Sequence, residues 1–285
     1  NFTRGPGIIP KTTPDIPISP SFSRLYQNFI FNTEVLQRRF AGMVTGYDFM
    51  LCIMPDEFVT SFQVYADWKH KTGTYIHITK FSEIGASVNN PTAIRDHILD
   101  AYTTWEVPPT HVLIIGDREI APVKYITYDY TFVYDDYFVE LEGNDYFPEM
   151  MIGRFTHQTD YRLQVMINKF MNYEKTPYIQ STDWFKKGLV CSNNAYASQI
   201  TTKRFTALQM LEQGNFISVD SMYNGTPCPG NVTTISNMIN AGRGWLNYRG
   251  EGWFTQWWAD CFPYSTTEVN ALNNGQKLTF VTSIG

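Results

Sequence analysis

Several features are scarce in this chain, and each scarcity removes a class of function. No apolar run approaches the ~20 residues of a membrane-crossing helix, and no signal-peptide pattern opens the sequence. Basic charge is in deficit. The 22 Lys+Arg against 27 Asp+Glu leave a formal net charge of −5, and no Lys/Arg run interleaves with aromatics, which argues against a nucleic-acid partner. The four cysteines, Cys52, Cys191, Cys228 and Cys261, stand far apart without a C-x-x-C pair, so a zinc site has no basis. G-x-S-x-G, H-E-x-x-H and the P-loop are missing. Gly242-Arg-Gly244 precedes a strand instead of following one, which excludes a dinucleotide fingerprint.

What is present is a globular composition. The 285 residues are 43% hydrophobic and 16% aromatic, enough for one large domain or two closely packed ones with a substantial core. A start at Asn1 and not Met suggests a processed or trimmed piece of a longer, multidomain chain. Residues 1–21, with Pro6, Pro10, Pro14, Pro17 and Pro20, read as an extended arm or linker. Phe22 to Phe40 is equally compatible with an edge strand or a short helix.

From there the chain alternates. Apolar runs of strand length are expected at Tyr47–Met54, Tyr75–Ile78, His111–Asp117 and Met150–Arg154, with helices at Phe58–Thr72, Thr92–Trp105 and Tyr161–Tyr173. Tyr125–Glu142 has no helical period and reads as a β-hairpin or long loop excursion. After a linker at Pro177–Asp183, strands are expected at Gly188–Ser192, Phe216–Val219, Trp245–Tyr248 and Leu278–Ile284. Helices are expected at Ser198–Glu212, stopped by Gly214, at Val232–Ala241, and from a capping box at Ser265-Thr-Thr-Glu268 to Leu272. Repeated strand, helix, strand is the pattern of an α/β fold with mostly parallel sheets flanked by helices. It implies a first α/β subdomain over 22–180 and a second over 181–285.

The stretch Gly244-Trp-Leu-Asn-Tyr-Arg-Gly-Glu-Gly-Trp253 stands out. A short buried strand breaks at a loop with glycine on both sides of one ionisable residue, Glu251, and such glycines let backbone N–H groups approach a ligand. In an open parallel sheet the carboxyl ends of strands are where a site is expected. Cys52 and Cys191 lie in apolar runs and read as buried core thiols, whereas Cys228 and Cys261 leave open either a disulfide or two free thiols. None of the five histidines is an obvious base. His70, on the polar side of a helix, His77, His97, His111 and His157, in a polar loop, each read as surface or satisfied core side chains.

Leu113-Ile-Ile-Gly-Asp117, Asp145-Tyr-Phe-Pro-Glu149 leading to Ile152-Gly-Arg154, Asn172-Tyr-Glu-Lys175, Asn247-Tyr-Arg-Gly-Glu-Gly252 and Phe280-Val-Thr-Ser-Ile-Gly285 occur in the order and spacing of gingipain-type cysteine peptidases, family C25. The chain resembles that family from about Tyr47 to Gly285. The resemblance implies a caspase-like fold of two α/β subdomains side by side, with peptide-bond hydrolysis at the carboxyl ends of the second subdomain's strands. It also implies a protein or peptide substrate, no required cofactor, and a secreted or surface-attached bacterial protein. In the family the loop carries a general-base His, which here is Glu251, and the nucleophilic Cys would fall just after Gly285. The acid that orients the His would fall near Ser192–Asn194, where Asn193 stands without a carboxylate. By the same resemblance the Gly252 N–H is placed as an oxyanion-hole donor.

An ionised Glu251 beside a thiol would disfavour the thiolate, where an imidazolium would stabilise it. Arg249 could lie over a thiolate but is always charged and shuttles no protons. Trp253, Trp257 and Trp258, with Phe254 and Phe262, read either as a wall for a peptide side chain or sugar ring or as closure of the core. The acidic segment with Asp129, Asp135, Asp136, Glu140, Glu142 and Asp145 matches no EF-hand loop and reads first as a solvated face, with a structural calcium ion implied only by the family resemblance.

Overall fold

The computed structural model describes residues 20–29, 47–127, 131–143 and 145–285. The expected arm over 1–21 lies outside these apart from its last two residues, as do Asp129 and most of 22–40. Where 22–40 is described, it is helical: α1 spans Pro20–Phe29 with proline at its first position, where the missing N–H costs nothing. The chain forms two compact units, Asn1–Asn168 and Lys169–Gly285, so segment 177–183 falls within the second.

In the first unit β1 (Asp48–Met54), α2 (Val59–Lys71), β2 (Thr74–Lys80), α3 (Phe81–Ile84), α4 (Pro91–Thr104) and β3 (His111–Ile115) follow in order. A short antiparallel hairpin, β4 (Tyr125–Thr127) and β5 (Thr131–Val133), opens the excursion, which returns through β6 (Met151–Phe155) to α5 (Asp160–Lys175). The sheet is wholly parallel in the order β2-β1-β3-β6. Leu51, Ile53, Val112 and Ile114 face Ile94, Ile98 and Ala101 of α4, with Phe138 and Met150 closing the cluster. On the other face Phe155 meets Phe62 and Tyr65 of α2. Strands covered on both sides are continuous apolar runs, which is why their sequence signal was strong.

The second unit repeats the plan with β7 (Lys187–Ser192), α6 (Ala197–Glu212), β8 (Ser218–Tyr223), α7 (Val232–Ala241), β9 (Trp245–Arg249), α8 (Thr266–Asn270) and β10 (Phe280–Ile284). Its parallel sheet has the order β10-β9-β7-β8. Leu189, Cys191, Leu246 and Tyr248 face Ile235 and Ile239 of α7. Cys228 and Cys261 are joined in a disulfide with Cα atoms 5.5 Å apart, and Cys52 and Cys191 are buried free thiols.

Three expectations are corrected. The strand expected at Phe216–Val219 runs over Ser218–Tyr223: Phe216 N–H is spent on Met210 C=O in the turn after α6, and pairing with β7 opens with Ile217 N–H on Lys186 C=O. α6 stops at Glu212, just before Gly214, as expected; the left-handed residue beyond it is Asn215 (φ 61°), and a Cβ on Gly214 would sit 2.8 Å from Met210 O. The closing helix ends at Asn270 and β10 begins at Phe280, each two residues inside the expected bound.

Candidate active site

In the second sheet β8 lies on one side of β7 and β9 on the other, so the chain reverses its direction of winding between β7 and β9. Crevices form at the carboxyl ends of such strand pairs, here Ser192–Asn193 and Arg249–Gly250. Asn193 N–H donates to Arg249 C=O at 3.0 Å, and Gly250 N–H donates to Ile284 C=O at 3.0 Å, so the ends of β7, β9 and β10 are fastened together. The Gly244–Trp253 stretch and the last strand therefore meet. Gly250 takes φ +152°, and a Cβ there would lie 2.6 Å from both Asn193 Cβ and Tyr248 Oη, so no other residue fits without displacement.

Beyond Gly250 the loop is held from below. The buried Tyr248 ring stacks on Trp257 at 4.2 Å and 6°, and its hydroxyl donates to Glu251 C=O at 2.8 Å. Trp258 N–H donates to the same carbonyl at 2.8 Å, and Trp253 N–H donates to Gln256 C=O at 2.7 Å. Burial pushes the Tyr248 phenol well above its ordinary value, so it remains a donor. This tether was not foreseen from sequence, where Tyr248 read only as a strand residue.

The candidate residues separate on this frame. Glu251 is exposed, and among the described residues no cation lies within ion-pair distance of its carboxylate. The Gly252 N–H has no hydrogen-bond partner among the described residues. Trp253, Phe254 and Trp258 are 64%, 85% and 55% exposed, whereas Phe262 is buried and Trp257 packs on the core, so the two readings of the aromatic group divide it between them. Arg249 is half-buried, its Nη1 3.4 Å from Thr202 Oγ1. Asn193 Oδ1 accepts from Asn194 N–H and from Asn224 Nδ2, and Asn224 Oδ1 in turn accepts from Cys261 N–H, linking the β7 end to the disulfide-bonded segment.

Other groups are committed elsewhere. Asp135 is gripped by Arg154, Nε to Oδ2 at 2.8 Å and Nη2 to Oδ1 at 2.7 Å, while the same guanidinium donates to Gly116 C=O and Pro122 C=O. Asp145 accepts from Phe147 N–H, and burial followed by Glu140 and Asp135 pushes the Asp136 carboxyl up. Among the described residues no three His, Cys, Asp or Glu side chains gather as a metal-ligand set. Burial pushes both free thiols, Cys52 and Cys191, far above the ordinary range, which makes them poor nucleophiles. His157, expected in a polar loop, is 1% exposed with its ring edge-on to Phe58 at 4.7 Å; its polar neighbours in sequence concealed a contact made across about a hundred residues.

The sequence profile of peptidase family C25 matches residues 47–285. The chain belongs to peptidase family C25. Among curated proteins, Gingipain R2 of Porphyromonas gingivalis strain W83 is 25% identical over 239 residues, covering 81% of this chain and 31% of that protein. Lys-gingipain of Porphyromonas gingivalis is 25% identical over 275 residues, covering 92% of this chain and 15% of that protein. The chain thus spans about a third or less of the length of the curated relatives it matches. The crystal structure of the Arg-specific cysteine proteinase gingipain R superimposes with a TM-score of 0.73 at 23% identity, over 84% of this chain and 55% of that one. The C25 chain accordingly has the gingipain-like, caspase-like α/β fold.

Proposed function

We propose that this C25 chain binds polypeptide at the carboxyl ends of β7, β9 and β10, with peptide-bond hydrolysis impaired by Glu251. The observation that carries the reading is the loop itself, whose backbone is tethered through Glu251 C=O yet which presents an exposed carboxylate where the family resemblance calls for imidazole. All five histidines lie between residues 70 and 157, in the first unit. A thiol brought to the end of β10 would meet Glu251 and not an imidazolium, which raises its pKa and removes the proton donor for the leaving amine. The exposed Trp253, Phe254 and Trp258 rings would supply contact surface for peptide side chains.

A second reading, a working cysteine endopeptidase, is supported by one feature. The Gly252 N–H, without a hydrogen-bond partner among the described residues and two positions past the Gly250 that is fastened to Ile284, is what an oxyanion hole requires. Both readings place the domain in a longer, secreted or surface-attached bacterial protein. The deciding experiment uses the longest natural gene product. It is labelled with an iodoacetamide probe near neutral pH, then incubated with a peptide library, and both are read by mass spectrometry. Slow labelling, no new peptide termini and saturable peptide binding are expected. Turnover abolished by alkylation would overturn the first reading in favour of the second.

A further inference from the structure

Residues in register on neighbouring parallel strands project to the same side of a sheet. Ser192 of β7 therefore shares a face with Arg249 of β9, and Val190 shares it with Asn247 and with Thr282 of β10. α6 covers this face: Thr202 Oγ1 lies against Arg249, and Lys203 Nζ donates to Asn247 Oδ1. Lys203 is 2% exposed, with a neutral amide as its partner. Burial first, and then the Arg249 guanidinium, push its ammonium below the ordinary value.

Two cations thus stand together in one corner. Among the described residues neither is within ion-pair distance of a carboxylate, Glu251 included. α6 has no acidic residue in its first turn, and Glu212 at its far end is its only one. Its amino terminus, the positive end of the helix dipole, follows directly from the end of β7. Arg204 is occupied over the Tyr223 ring at 5.7 Å and does not enter this corner's account. A second, independent sign is Ser192, fully buried at the end of β7, whose Oγ has no hydrogen-bond partner among the described residues. Buried hydroxyls and buried ammonium groups are costly unless something of opposite character meets them.

We infer that this corner is a carboxylate site, in which the Arg249 fork takes the two oxygens, Ser192 Oγ and the α6 amino terminus donate beside it, and Lys203 adds charge from beneath. The inference rests on the reading of these strand ends as a peptide site, and names the peptide feature they select: an acidic side chain or a free C-terminal carboxylate. Arg supplies the planar, bidentate geometry that carboxylates favour. A polyphosphate ligand is disfavoured by the chain's net charge of −5.

The test uses the full chain and fluorescein-labelled pentapeptides read by anisotropy. The first pair is Ala-Ala-Glu-Ala-Ala amide against its Gln counterpart. The second is penta-alanine with a free C-terminus against its amide. At least one carboxylate-bearing probe should bind about tenfold tighter than its neutral twin, with the preferred pair identifying the source of the carboxylate. Arg249→Gln should erase the difference. Lys203→Met, close to lysine in volume and checked for folding by circular dichroism, should reduce it severalfold, and 0.5 M salt should weaken it in the parent chain. Equal binding of both twins in both pairs, or a preference that survives Arg249→Gln, overturns the carboxylate site and leaves the peptide-binding reading standing. If no peptide binds, that reading falls. Titration of free glutarate by calorimetry then decides the corner: saturable binding lost in Arg249→Gln upholds it, and no binding ends it.

Discussion

In the first unit the sheet order β2-β1-β3-β6 places the reversal of winding between β1 and β3; in the second, β10-β9-β7-β8 places it between β7 and β9. The same crevice arises twice, and the chain treats the two copies differently. At the end of β3, Gly116 turns with φ +119° and packs so tightly that an added Cβ would lie 2.8 Å from Ile120, while Ala121 is fully buried and His157 is sealed against Phe58. At the end of β9, Gly250 turns into a loop whose Glu251, Trp253 and Phe254 are exposed. Topology offers the site; loop residues decide whether it is filled or left open. The units also differ in chemistry: every histidine is in the first, and the disulfide is in the second.

The largest expected effects come from cutting each unit's own staple. The Cys228–Cys261 link closes a loop of sequence separation 33, so Cys228→Ser with Cys261→Ser should destabilise the second unit by about 3–4 kcal/mol. In the first unit, Arg154 ties the excursion to the sheet through Asp135, Gly116 and Pro122. Arg154→Met should cost about 3 kcal/mol, because it strands a partly buried carboxylate. Hydrogen exchange read by mass spectrometry separates the two. Loss of protection in the wrong unit, or in both together, would show that the units do not unfold independently.

Acid should act on one unit only. His77, His97, His111 and His157 are all held below the ordinary imidazole value, with burial as the first cause in each. Nearby carboxylates oppose that push: Glu83 at His77, Asp100 at His97, Asp48 at His111, and Asp117 and Asp160 at His157. For a depressed imidazole the stability is complete above the unfolded pKa of about 6.5 and is lost as pH falls below it, because the unfolded chain takes up the proton first. Between pH 7 and 5.5 exchange protection should therefore fall in the first unit and hold in the second, which contains no histidine. His157→Gln should flatten the slope. Parallel loss in both units would break the comparison.

How much of this was legible in the sequence depended on where the deciding contact lay. The buried strands β1, β3, β7 and β9 are legible as apolar runs, and the Gly-Glu-Gly segment is legible as the turn by which the chain leaves β9. The family resemblance read from ordered motifs was confirmed. Edge strand β8, with Asp220 and Ser221 in its middle and only Met222 buried, carries no such run and begins two residues later than expected. Lys203 lies in a helix among polar residues, and nothing in its sequence neighbours marks it as buried; its partner Asn247 is 44 residues away. The Cys228–Cys261 link was open for the same reason, since spacing along the chain does not report proximity.

The smallest effects sharpen the comparison most. Tyr248→Phe removes the hydroxyl that holds Glu251 C=O, and should cost about 1 kcal/mol because it leaves that carbonyl one donor short. Glu251→Gln removes a charge with no hydrogen-bond or ion-pair partner among the described residues, and should change stability by less than about 0.5 kcal/mol. The two variants alter the same residue's surroundings, one through its backbone and one through its side chain. In a loop built for packing, like the Gly116 turn of the first unit, both would matter. In a loop whose backbone is fixed so that its side chain can stay free, only the first should. Matched denaturant midpoints for the pair decide between these, and a cost above about 1 kcal/mol for Glu251→Gln would mean that its carboxylate serves the fold and is not presented to a ligand.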